Sequence, residues 1–158
     1  MDAKSEAEVW SRVNAAAKTG DVSVRERGPV GPELLEAMTR TQEVCRELRQ
    51  IQQKTGGETA KALRQMSVNL AAQEKTLKAL YYFLTGTPAS PVQPKPTQRQ
   101  ERLIETLRRL MQGRELNAGR YQALANRTAG ESQRILAELA EEEQKNFYIL
   151  LKLLKNCV

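Results

Sequence analysis

Apolar residues recur every three to four positions through four long stretches of the chain, the period of amphipathic α-helices. The first stretch predicts helix A from about Glu33 to Lys54, with Leu34, Met38, Thr41, Cys45, Leu48 and Ile51 inward and Gly56-Gly57 at its end. Helix B is predicted from about Thr59 to Leu84. Its inward set is Leu63, Met66, Leu70, Glu74, Leu77, Leu80 (or Tyr81) and Leu84, and Gly86 closes it. Helix C runs from about Glu101 to Arg127 with Leu107, Leu110, Arg114, Ala118 (or Asn117), Tyr121 and Leu124 inward, and Ala129-Gly130 ends it. Helix D runs from about Glu131 to Lys155, lined by Leu136, Leu139, Glu143, Asn146, Leu150 and Leu153.

Two weaker patterns flank these helices. Residues 6–18 predict a short helix with a narrow stripe of Trp10, Val13 and Ala17, stopped by Gly20. The loop that follows is punctuated by Gly28-Pro29 and Gly31-Pro32, and Pro32 suits a helix start. The chain thus divides into an N-terminal helix and loop over 1–32 and a bundle over 33–158. Between helices B and C, residues 85–98 hold Pro88, Pro91, Pro94 and Pro96, which exclude helix and favour extended chain. At about 3.1 Å per residue this linker reaches roughly 40 Å, and a 25-residue helix is about 38 Å long. The linker can therefore run the full length of the bundle as a long B–C crossover.

The helix pairs resemble each other. Helices A and C superpose at an offset of 73, which lays Leu34 on Leu107, Thr41 on Arg114, Cys45 on Ala118 and Leu48 on Tyr121. Helices B and D superpose at an offset of 69, which lays Glu74 on Glu143 and Leu77 on Asn146. The offsets differ by about one helical turn, so the apolar faces stay in phase. Two such hairpins, each with one bare apolar face, bury those faces against each other.

Composition narrows the chemistry. The 158 residues contain no histidine and two cysteines, Cys45 and Cys157, in no metal-binding spacing. A histidine-based nucleophile relay is excluded, and no glycine-rich phosphate loop is present. The net charge of +6 is spread among interleaved acids and bases. No stripe pairs basic residues with stacking aromatics, so a nucleic-acid face is not expected. The first ten residues, MDAKSEAEVW, carry no apolar signal region, and no run approaches 18 apolar residues. The expected compartment is the cytoplasm, with no membrane contact. Lys75, Lys78, Lys95, Arg99 and Arg102 lie with the aromatic run Tyr81-Tyr82-Phe83 in or just beyond an acid-free stretch. That stretch is a candidate partner- or anion-binding end. The leucines Leu150, Leu151, Leu153 and Leu154 span more than one stripe and favour a contact beyond the core. The expected assembly is a homodimer or a monomer, with a protein partner left open.

GRELNAGRYQALA at 113–125 and ILAELAEEEQKN at 135–146 resemble the third and fourth bundle helices of the ferritin-like superfamily, and of rubrerythrin-type proteins in particular. TRTQEVCREL at 39–48 and LAAQEKTLKALYYFLTG at 70–86 match the first two helices more loosely. The resemblance implies an all-α, up-down-down-up four-helix bundle that in related proteins carries two iron or manganese ions and reacts with oxygen or peroxide. The implied ligand positions fall on Thr41, on Glu74 with Leu77, on Arg114, and on Glu143 with Asn146. Four of the six have lost the ligating residue. Leu77 cannot coordinate, neutral Thr41 cannot bridge, and Arg114 brings a cation to the metal's place.

The resulting expectation is a bundle with a degenerate diiron site, no cofactor and no catalytic residue. Arg114 would stand between the inward carboxylates Glu74 and Glu143, supported by Gln73, Tyr121, Thr41 and Asn146. Glu115 is expected outside, paired with a base; turned inward, it would restore a weak metal site. A non-catalytic structural or binding role is favoured over two alternatives, a weak metal-dependent oxidoreductase and a protein- or anion-binding module.

Overall fold

The computed structural model describes residues 29–90, 93 and 100–157. The helix expected over 6–18, with Trp10, and most of the proline linker lie outside these residues. The described chain forms four helices: α1 (Gly31–Gln52), α2 (Gly57–Thr85), α3 (Leu103–Asn126) and α4 (Gly130–Asn156).

The ends follow local chemistry. Pro32 sits in the first turn of α1, where its missing N–H costs nothing. Gly86 closes α2 with φ of 73°, a left-handed conformation that favours glycine, and donates its N–H to the Tyr82 carbonyl at 2.8 Å. Helix α3 begins two residues later than expected. The Glu105 carboxylate accepts the Arg102 backbone N–H and its guanidinium, which fixes Arg102 as the cap.

Helices α1 and α2 pack as one hairpin and α3 and α4 as another, with α2 and α4 also in contact. The inward residues gather into two apolar clusters. One joins the start of α1 (Leu34, Met38), the end of α2 (Leu77, Leu80), the end of α3 (Tyr121, Leu124) and the start of α4 (Leu136, Leu139). The other joins the end of α1 (Cys45, Leu48), the start of α2 (Leu63, Met66, Leu70), the start of α3 (Leu107, Leu110) and the end of α4 (Leu150, Leu153). Each fully buried leucine contributes about 1.5–3 kcal/mol, so these clusters hold the hairpins together. Between them lies a layer of polar side chains. Tyr81, Phe83 and Leu84 pack against the first cluster, and Leu154 against the second. Among the described residues no helix is long and apolar enough to cross a membrane.

Candidate functional site

The polar layer is organised around one carboxylate. Glu143, on α4, is fully buried, and its two oxygens accept four side-chain hydrogen bonds. Arg114 Nη1 reaches Oε2 at 2.5 Å, and Asn117 Nδ2 reaches the same oxygen at 3.1 Å. Gln73 Nε2 and Asn146 Nδ2 each reach Oε1 at 3.1 Å. The donors come from α2, α3 and α4. Arg114 is itself only 4% exposed, so the ion pair is shielded from water on both sides. A buried carboxylate needs such partners, because one unpaired charge there costs several kcal/mol.

Helical phase explains which residues meet. Arg114, Asn117 and Tyr121 lie three and four residues apart and share the inward face of α3. Glu143 and Asn146 stand likewise on α4. The apolar pattern of α3 offers Asn117 only as an alternative to Ala118. Both are buried, and Asn117 makes the contact. Its signal was its place three residues after Arg114.

The second expected central carboxylate is not in the layer. Glu74 stands at the edge of α2, with its side chain 19% exposed. It accepts a hydrogen bond from Gln42 at 2.7 Å and pairs with Lys78 at 3.3 Å. Leu70 and Leu77 are seven residues apart, so either position 73 or position 74 can point inward, and the helix turns Gln73 in. Arg114 therefore serves one carboxylate, not two.

Thr41 is buried, but its hydroxyl donates to the Ala37 carbonyl of its own helix at 2.7 Å. Leu77 is buried in the first apolar cluster. Glu115 faces solvent, so it adds nothing to the layer. Tyr121 is buried beside Thr41 and Asn117, without a hydrogen bond of good geometry to its hydroxyl. Burial, and then the charge of Glu143, push its pKa above the usual phenol value. Burial likewise pushes the Cys45 thiol up to about 11, which leaves it protonated and inert at neutral pH.

Of the basic, aromatic end expected around residues 75–102, Lys75, Lys78 and Arg102 are exposed among the described residues. Lys78 is held by Glu74, and Tyr81 and Phe83 pack on the core; only Tyr82 of the three aromatics is exposed. Lys95 and Arg99 lie outside the described residues.

Sequence reasoning also missed the polar contacts between α1 and α3. Arg109 binds Glu47 at 3.0 Å and Glu101 at 3.2 Å, and Arg127 binds Glu33 and the Pro29 carbonyl. The Arg109 cluster lines a cavity of about 230 Å³ at the end of α1, walled also by Ile51, Leu103 and Thr106. Single positions such as Glu47 carry no signal for this, because the pairing depends on inter-helix register.

The layer does not suit a two-metal centre. Such a centre needs several carboxylates with free oxygens. Here the single buried carboxylate has both oxygens engaged by donors, and a guanidinium stands against it. Among the described residues no group of three or more His, Cys, Asp or Glu side chains could hold a metal ion. Fold and site together define an all-α four-helix bundle with a buried ion-pair layer. No family model matches the chain, nor does any curated protein or solved structure.

Proposed function

We propose that the chain is a ferritin-like bundle without a diiron centre, and that its role is structural or binding, not catalytic. The observation that carries this reading is Arg114 bound to Glu143 at the bundle centre, at two of the positions where the resemblance implies ligands. The guanidinium supplies there the positive charge that a metal would supply, and the amides of Gln73, Asn117 and Asn146 complete the shell. A long crossover between α2 and α3 belongs to the same reading. It is supported by the clusters: α2 ends beside the start of α1, whereas α3 begins beside the end of α1.

Reconstitution with Fe(II) and with Mn(II), followed by desalting and elemental analysis, tests the proposal. The expected result is folded protein with no stoichiometric metal. Two bound equivalents per chain would overturn it and put a metal-dependent oxidoreductase in its place.

A further inference from the structure

We propose that the middle of the seam between α1 and α3 is an oxyanion site, with Arg40 and Arg120 as its two arms. Its ligand class is a small phosphate- or carboxylate-bearing molecule. The proposal is independent of whether the central layer holds metal.

The argument starts from register. Helices α1 and α3 run in opposite directions, since the start of each shares a cluster with the end of the other. Ion pairs tie their facing edges near both ends, Glu33 with Arg127 and Glu47 with Arg109. Seven residues inward from the first pair, on each helix, stand Arg40 and Arg120. Where the pattern at both ends sets acid against base, the middle sets base against base.

Neither arginine has a cross-helix ion pair among the described residues. Among the described residues Arg40 has one ion-pair partner, Glu36 at 3.8 Å, and that carboxylate is 71% exposed on the same helix. Arg40 Nε is buried and has no hydrogen-bond partner. Arg120 has no ion pair among the described residues. Beneath them Arg114 spends its charge on Glu143, and its Nε is also buried and unpartnered. Partial burial first, then the charge of Arg120, lowers the pKa of Arg40; Tyr121 and Glu36 oppose this, and Arg114 adds to it. Like charges held together cost free energy, and an oxyanion between them removes that cost while accepting charge-assisted hydrogen bonds. Arg120 is exposed and the α3 surface around it is open: Gly119, next to it, and Gly113, two turns before it, have no neighbouring atom within 4 Å of where a side chain would begin.

Calorimetric titration of the full chain with inorganic phosphate, and separately with succinate, at constant ionic strength tests this. The expected result is a single saturable site. Arg120→Gln and Arg40→Gln should each weaken it by about tenfold or more, the loss expected for one charged hydrogen bond. Arg108→Gln, which removes an equal charge from an exposed position, should leave it unchanged. Preference for phosphate or for succinate assigns the ligand class, and either preference supports the site. In addition, Arg120→Glu should complete the row of cross-seam ion pairs, raise the denaturation midpoint and abolish phosphate binding. No saturable binding of either anion, or equal binding in the Arg120, Arg40 and Arg108 variants, would overturn the proposal. So would an Arg120→Glu midpoint at or below that of the parent chain.

Discussion

The two hairpins carry the same local text and put it to different use. LAAQE at 70–74 and LAELAEEE at 136–143 each offer glutamates about one turn beyond an inward leucine. In the second hairpin the glutamate enters the core, and four donors converge on it. In the first the glutamate stays at the rim, held by a lysine one turn on and an amide from α1. The difference lies in what stands nearby. Position 114 brings a guanidinium inside, whereas its counterpart on α1, Thr41, offers a hydroxyl already committed to its own backbone. Leu77 then closes the first hairpin's half of the layer with hydrocarbon where the second places Asn146. A buried carboxylate is tolerated only where a cation and amides meet it. The polar layer therefore centres on the second hairpin, and the first contributes the Gln73 amide to it.

This asymmetry can be broken most sharply at the two glutamates. Glu143→Ala leaves Arg114 buried and unpaired and should cost about 3–5 kcal/mol. Glu74→Ala removes a partly exposed pair and should cost about 1 kcal/mol or less. Urea midpoints of the two variants check this, and equal losses would erase the distinction between the halves.

The helix A and helix C counterparts give the next largest contrast. Arg114→Ala strands Glu143 with amides alone and should cost about 3–5 kcal/mol. Thr41→Ala removes one neutral hydrogen bond within α1 and should cost about 1 kcal/mol. The same denaturation series decides it.

The smallest effect concerns pH. The folded state holds the Tyr121 phenol above its ordinary pKa of about 10. Its stabilising contribution is therefore full below that value and is lost as pH rises through the folded pKa, because the unfolded chain ionises first. Thermal melts between neutral and strongly alkaline pH should show this decline, and Tyr121→Phe should flatten it. An unaltered slope in the variant would place the alkaline sensitivity elsewhere.

Much of the architecture was legible in the sequence. Each helix carries seven to nine buried positions, and long periodic runs with glycine stops specify helix existence and facing well. Glu143, Arg114 and Asn146 lie on strongly phased faces, so their inward direction could be read. Position 74 could not be decided, because 73 and 74 straddle the centre of the α2 stripe. The cross-helix pairs of Glu33, Glu47, Arg109 and Arg127 were also illegible. They depend on how far α3 slides along α1, which no single-helix pattern encodes. Helix α4 keeps Tyr148 66% exposed, and part of its leucine surplus packs in the second cluster.

A double-mutant cycle on Arg114 and Glu143 tests the central claim most directly. Arg114→Met and Glu143→Leu should each destabilise by about 3–5 kcal/mol when made alone, because each leaves a buried charge behind. The double variant should recover most of that loss, since hydrocarbon of similar size then fills the layer. Additive losses, or single variants as mild as Glu74→Ala, would contradict an ion pair at the centre of the bundle.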